Sequence, residues 1–364
     1  MISSEFAIYS DAGFNSTFLK AHVDYLKPDF ILAGAPYPKA LNGENLHKSS
    51  LINSIMSRLK PRRRNPLYPF EVFLSTKRPK VIVAEYGVSA AHIIDNCIAH
   101  NVPVIVNFYG YDAFSRTIMN RYADAYARVF NHATYVCAQS NSIRLKLIEL
   151  GCPQSKIVVN AAPPEDVFFN YDAPSDTQTI ISIGRFVDKK APYAVLLSFQ
   201  LALKKFPKAR LIMVGDGPLL FTAKNLAIIL GINERVEFTG KVDAVQQRGF
   251  MMRASIFIQH SMEGPDGDCE GLPVAIMEAS AMSMPIVSTY HSGIPEAVEH
   301  GVTGLLSPEM DINTMADNIV TLLANPEMAI EMGKKGRSKM KSEFSMENHI
   351  GCLRKMIGEA SKNT

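Results

Sequence analysis

The chain offers no cysteine framework. Its five cysteines, Cys97, Cys137, Cys152, Cys269 and Cys352, are scattered and odd in number, and no two form a Cys-x-x-Cys pair. Neither a disulfide scaffold nor a thiolate zinc site is indicated. No stretch reaches the roughly 18 uninterrupted apolar residues of a membrane-spanning helix. The opening "MISSEFAIYSD" lacks a basic segment and an apolar run, so no secretory leader is expected and a reducing, cytoplasmic setting is. Solenoid-length repeats and low-complexity tracts are missing too. An excess of one charge is also lacking: 38 Lys and Arg stand against 35 Asp and Glu, a net of +3. The imbalance sits at the front, where residues 1–170 carry 18 basic and 13 acidic side chains against 20 and 22 in the remainder. Such a bias suits an anionic surface or substrate and falls far short of a nucleic-acid-binding signature.

What is present is ordinary globular material, with 47% hydrophobic and 20% charged residues. At 364 residues the chain exceeds one ordinary core, and two domains are the natural expectation. Short β-branched runs recur: "VIVA" at 81–84, "VIVNF" at 104–108, "YVCA" at 135–138 and "IVVN" at 157–160. The second half adds "IISI" at 180–183, "LIMVG" at 211–215, "VEFT" at 236–239, "SIFIQ" at 255–259 and "IVST" at 286–289. Near-continuous apolar strands read as parallel and buried on both faces, and helical stretches such as Ser140–Leu150 and Tyr193–Phe206 complete a βαβ rhythm. The prediction is α/β, with two Rossmann-like doubly wound domains. The Pro- and Asp-rich stretch 161–177 places the boundary near residue 170, giving domains of 1–170 and 171–344.

Ligands of open parallel sheets bind beyond the carboxyl ends of the strands. After the strand at 180–183 comes "GRFVDKK", where Arg185 and Lys190 either clamp a diphosphate or are solvated loop charges. "VGDGP" after the next strand lacks the third glycine of a dinucleotide fingerprint and reads as a tight turn. "HSMEGPDGDCEGLPVAIMEAS" follows the strand at 255–259. Its Gly271 and Leu272 amides stand at a helix start that favours an anion. Glu270 and Glu278 bracket that start, and carboxylates accept well from sugar or ribose hydroxyls. The plainer reading is a glutamate stabilising the helix dipole and a second one on the surface. The Asp266–Asp268 pair lacks further ligands at metal spacing and reads as a turn. "TYHSGIPEAVEHG" opens one more helix beside the same crevice.

Together "GRFVDKK", "VGDGP", "EGLPVAIMEA" and "SGIPEAVEHGVTGLL" resemble the retaining glycosyltransferases of family 4, which have the GT-B fold. They stand in that family's order and spacing, over about residues 135–345. The wording of "DCEGLPVAIMEA" is particularly similar to the bacterial exopolysaccharide subgroup, the colanic-acid type. The resemblance implies a hexosyltransferase-type enzyme moving sugar from a nucleotide-diphosphate sugar to a saccharide or lipid-linked acceptor in cell-surface polysaccharide synthesis. It implies that Arg185 and Lys190 hold the donor diphosphate, Glu278 the ribose and Glu270 the sugar, with Gly271 and Leu272 nearby and Gly240 and Val242 near the base. No metal or other cofactor is implied, because cations and the helix dipole stabilise the leaving group. It also implies that the last helix, within 345–364, packs back on the front domain.

The chain departs from the family pattern in places. "NFYGYDAF" puts Tyr109 where the family's His-Gly-x-Asp element has histidine, keeping Gly110 and Asp112, and Ala191 stands where glycine is common. A phenol donates a hydrogen bond but does not carry a proton at neutral pH as imidazole does. Asn15, Ser16 and Thr17 either meet donor phosphates or acceptor, or cap a helix. The basic stretch Arg58–Tyr68 implies contact with an anionic inner-leaflet surface, or else is a solvated loop. His22, His92 and His100 read as structural. Two other functions fit the same fold: an NDP-sugar epimerase, and a non-catalytic partner that binds a nucleotide sugar.

Overall fold

A computed structural model describes residues 5–14, 17–46, 68–174 and 178–362, with the side chains of Thr17, Phe18 and Tyr68 excepted. The chain divides into two compact units, residues 1–161 with 347–364, and 162–346. The division therefore falls nine residues before the expected position, inside the Pro-rich stretch.

Among the described residues, the first unit contains β1 (Phe6–Ser10), β2 (Phe30–Ala33), β3 (Ala40–Leu41), β4 (Glu44–Asn45), β5 (Val81–Glu85), β6 (Val104–Phe108), β7 (Tyr135–Ala138) and β8 (Ile157–Val159). They lie in the order β4-β3-β2-β1-β5-β6-β7-β8. The pairs from β2 through β8 are parallel, and β3 and β4 form an antiparallel edge. Every residue of β1, β5 and β6 is buried, which is why the β-branched runs there show no alternation. The C-terminal helix Met346–Ala360 belongs to this unit apart from its first residue, burying Leu353 and Ile357 and bringing Met356 beside Cys137.

The second unit contains β9 (Thr179–Ile183), β10 (Arg210–Val214), β11 (Val236–Gly240), β12 (Ile256–Ile258), β13 (Ile286–Thr289) and β14 (Gly304–Ser307). Their order is β11-β10-β9-β12-β13-β14, parallel throughout. The chain runs from β9 outward to β11, then returns to β9's other side with β12. That reversal opens a crevice at the carboxyl ends of β9 and β12. The expected doubly wound architecture is present in each unit.

Candidate active site

The loops flanking this crevice are pressed together by glycine. Gly215 has φ +134°, and a Cβ there would stand 2.0 Å from the Gly184 carbonyl oxygen. At Gly217 a Cβ would stand 2.6 Å from the Phe186 carbonyl oxygen. Only glycine permits such backbone approach. "VGDGP" therefore braces the loop after β9, and the Phe186 amide completes the brace by donating to the Asp216 carbonyl at 2.9 Å. The loop then turns through Asp188–Lys190 and enters the helix Pro192–Leu203 at Ala191, whose φ is +35°. The position where the family commonly has glycine is thus left-handed, and alanine occupies it at a steric cost of about 1–2 kcal/mol.

The adjacency of β9 and β12 brings this loop against the one holding Glu270. The Lys190 Nζ donates to Glu270 Oε2 at 2.9 Å. Lys189, which sequence reasoning passed over, stands 3.5 Å from Glu270 Oε1 and donates to Asp268 Oδ1 at 3.0 Å. Glu270 is only 8% exposed. Burial alone would push its carboxyl up, but Lys190 and then Lys189 outweigh it and hold the group below the ordinary carboxylate range. Burial draws Lys190 below the ordinary lysine range despite the attraction of Glu270. Glu270 is thus favoured as a carboxylate, while burial works against the charge on the Lys190 amine beside it. Glu270 Oε1 is buried without a hydrogen-bond partner, an acceptor ready for a hydroxyl.

Two histidines latch the same loop. The Glu270 amide donates to His291 Nε2 at 3.1 Å, so the proton lies on Nδ1, which donates to Glu309 Oε1 at 2.7 Å. The Met310 amide donates to His260 Nε2 at 3.0 Å. The turn after β14 thus fixes the backbone that carries Glu270. Histidine in "TYHSG" was the sequence signal, but nothing local says which residue it meets.

Pro273 stands at the N-cap of the helix Val274–Ala281, and Glu278 lies inside that helix, 6% exposed. Gln247 Nε2, from the helix Ala244–Met251, donates to Glu278 Oε2 at 2.9 Å. Burial, helped by the nearby Glu165, pushes the Glu278 carboxyl up to about 7, against the Gln247 hydrogen bond. Glu278 is not the surface residue of the plainer reading.

Arg185 is exposed and lines one small hollow with Lys190, Gly184, Val214 and Gln259. Gly271 and Leu272 are buried between Glu270 and the helix start. Gly240, at φ +69°, ends the edge strand β11, two places from β9, with Val242 just beyond.

In the first unit Tyr109 and Asp112 are tied inward. Asp112 is fully buried and accepts from the Gly87, Tyr109 and Gly110 amides at 2.7, 2.9 and 3.1 Å. Burial pushes its carboxyl up to about 6 against these bonds. The Tyr109 hydroxyl donates to Glu85 Oε2 at 2.5 Å, an oxygen that also accepts from Asn107 at 2.9 Å. Glu85 Oε1 meets His22 Nδ1 at 2.7 Å, and His22 Nε2 meets His349 Nε2 at 2.7 Å. Asn160 Oδ1 accepts from His349 Nδ1 at 3.0 Å, so His349 Nε2 is the acceptor and His22 the donor. Ser16 and Arg58–Leu67 lie outside the described residues, as do the side chains of Thr17 and Tyr68.

This buried chain is expected to make the first unit acid-labile. Burial, then His22, depress His349 from 6.5 to about 3. The unfolded chain therefore takes up the proton first, and stability is lost as pH falls from about 6.5 toward 3. Glu85 adds to the slope: burial raises its carboxyl, but His22, Tyr109 and Asn107 bring it below the ordinary value. Thermal melts are expected to drop steadily between about pH 6.5 and pH 4. His349→Gln should flatten that slope while lowering the melting temperature at neutral pH.

The sequence profile of glycosyl transferases group 1 matches residues 164–339, the unit that holds the Lys190–Glu270 pair. WcaL of Escherichia coli (strain K12), a glycosyltransferase named for colanic acid biosynthesis, is 30% identical over 74% of this chain and 68% of its own length. The chain belongs to the group 1 glycosyltransferases. Another relative of this glycosyltransferase is AmsK of Erwinia amylovora, named for amylovoran biosynthesis, 30% identical over 65% of this chain and 59% of AmsK. Two solved structures share the GT-B fold of this glycosyltransferase. Anabaena Alr3699/HepE in complex with UDP has a TM-score of 0.75 at 16% identity, covering 99% of this chain and all of that one. Sucrose-phosphate synthase from Thermosynechococcus elongatus has a TM-score of 0.77 at 16% identity, covering 99% of each.

Proposed function

We propose that this glycosyltransferase moves a sugar from a nucleoside-diphosphate sugar to a saccharide or lipid-linked acceptor of cell-surface polysaccharide synthesis, retaining the anomeric configuration and without a metal. The observation that carries the reading is the Lys190–Glu270 pair at the switch point of the second sheet, with Glu270 Oε1 making no hydrogen bond and only Lys189 beside it, at 3.5 Å. UDP in HepE, and the polysaccharides for which WcaL and AmsK are named, support the substrate classes.

Lys190, Arg185 and the Gly271–Leu272 amides would neutralise the leaving diphosphate, the role a metal fills elsewhere. Glu270 would accept from a sugar hydroxyl and stabilise positive charge at the anomeric carbon. Glu278 would accept from the ribose, with Gln247 holding its other oxygen, and Gly240 and Val242 would border the base. The bond from the anomeric carbon to the phosphate oxygen breaks, and its electron pair leaves with the diphosphate. The acceptor oxygen bonds from the same face, and its proton passes to the departing phosphate oxygen. Asp268 accepts from Lys189 at 3.0 Å.

A thermal-shift panel of nucleotide sugars should single out one donor, since selective binding stabilises in proportion to ln(1 + [L]/Kd). With that donor, acceptor-dependent release of nucleoside diphosphate is expected. An isomerised nucleotide sugar with no diphosphate release would instead make the protein an epimerase. A panel with no binding at all would favour a non-catalytic partner.

No helix among the described residues is long and apolar enough to cross a membrane. Contact with an anionic inner leaflet through Arg58–Tyr68 belongs to the same proposal. Co-sedimentation with anionic vesicles should weaken when Arg62, Arg63 and Arg64 become Gln. Unchanged binding would remove those residues from the account.

A further inference from the structure

The first sheet has its own reversal. From β1 the chain steps to β2 on one side, and after the antiparallel edge it returns to β5 on the other. A crevice therefore opens at the carboxyl ends of β1 and β5, where Asp11 follows β1 and the helix Gly87–Ala99 follows β5. Ser89 and Asp11 hold each other: the Ser89 hydroxyl donates to Asp11 Oδ1 at 2.8 Å and accepts from the Asp11 amide at 2.9 Å. This fixes the carboxylate and leaves Oδ2 facing His92 Nδ1 at 4.0 Å.

That separation is too long for a hydrogen bond. His92 Nδ1 is buried with no hydrogen-bond partner, and the side chain is 10% exposed. Its other nitrogen, Nε2, meets the Tyr122 hydroxyl at 3.0 Å, an oxygen able to donate to it. With Nε2 accepting, Nδ1 carries the proton and aims it toward Asp11. Once the atoms covering Nδ1 move aside, a hydroxyl oxygen about 2.8 Å from each would accept from His92 and donate to Asp11. Tyr86, held at φ +75°, packs on Tyr109 at 4.7 Å and adds an aromatic wall at the end of β5. Burial, with Arg121 adding to it and Asp11 opposing, keeps His92 below its ordinary range, so the ring is neutral at pH 7.

We infer that Asp11 and His92, braced by Ser89 and Tyr122, form a subsite that binds a hydroxyl of a saccharide. A carboxylate acceptor beside a neutral N–H donor matches the donor and acceptor character of a sugar hydroxyl and repels phosphate. His92, which the sequence alone presents as structural, would touch the ligand directly. The inference rests on the glycosyltransferase reading for its biological sense, while the site itself lies wholly within the first unit.

The test uses the full chain with its nine histidines 13C-labelled. The signal missing in His92→Gln identifies His92, and the probes are the methyl glycosides of glucose, galactose and mannose. Titration with at least one glycoside should move the His92 signal saturably in the wild type. Asp11→Asn should weaken that binding about tenfold or more, as expected for loss of a charge-assisted hydrogen bond, and Ser89→Ala by less. UDP binding, measured on the same samples, should be unchanged by Asp11→Asn, which also shows that the variant is folded. A His92 signal that no glycoside moves, in a protein that binds UDP, overturns the subsite and leaves the enzyme reading standing. Glycoside binding unaffected by Asp11→Asn overturns it equally. Failure of the wild type to bind any nucleoside diphosphate is the separate failure of the enzyme reading.

Discussion

Replacing Lys190 with alanine is expected to lower kcat/KM for sugar transfer by about 10²–10³-fold. Lys190 is half-buried, and Glu270, 2.9 Å away, favours the ammonium that burial disfavours. A donor diphosphate brings negative charge to the same place, so the lysine would compensate the leaving group as the anomeric bond breaks. Removing it also strands Glu270. Breaking a buried ion pair costs about 3–5 kcal/mol when the remaining charge has no other partner. Lys189, 3.5 Å from the other oxygen, should hold the loss to the lower end or below. The two effects separate in the double variant Lys190→Met with Glu270→Gln, which should recover much of the stability in urea unfolding and none of the turnover. A Lys190→Ala enzyme with normal kcat/KM would remove the residue from the mechanism.

Glu278→Gln should stabilise the protein and impair donor binding at once. A carboxyl whose folded value is about 7, against 4.5 unfolded, is disfavoured as an anion in the fold. The native state holds its proton longer, so stability is lost as pH rises from about 4.5 through 7. At about pH 8 the neutral amide escapes that penalty, a gain on the order of 3 kcal/mol from the size of the shift. The same change removes the anion proposed to accept from the ribose, and donor affinity should fall about tenfold or more. In the wild type, donor affinity should rise as pH passes through about 7 and Glu278 ionises. Urea unfolding and calorimetric titration across pH check both halves. A less stable Glu278→Gln protein at alkaline pH would show that the buried charge is satisfied in some other way.

The sequence was most legible where burial is complete. The runs at 104–108, 135–138 and 286–289 coincide with β6, β7 and β13, because a strand covered on both faces is mostly apolar, the buried polar Asn107, Ser288 and Thr289 falling toward the carboxyl ends. β1 to β4 and β14 were not anticipated. β2 has four residues and β14 begins with glycine, so their partners rather than their composition make them strands. The site was legible as residue types and illegible as contacts. Lys190 and Glu270 are 80 positions apart and meet only because β12 lies beside β9. Lys189 and Lys190 are equivalent in a linear reading, yet the fold gives the second to Glu270 and the first mainly to Asp268. Tyr109 looked like a weakened catalytic position. Its hydroxyl donates to Glu85, 24 residues earlier, in a chain that continues through His22 to the C-terminal helix. No local pattern announces such a chain, since each member is an ordinary polar residue until the sheet places it.

The most direct test is a crystal structure with a nucleoside diphosphate bound. The account predicts the diphosphate beside Lys190, Arg185 and the Gly271–Leu272 amides, with Glu278 on the ribose hydroxyls. A diphosphate bound elsewhere, or a nucleotide that leaves these groups untouched, would contradict it.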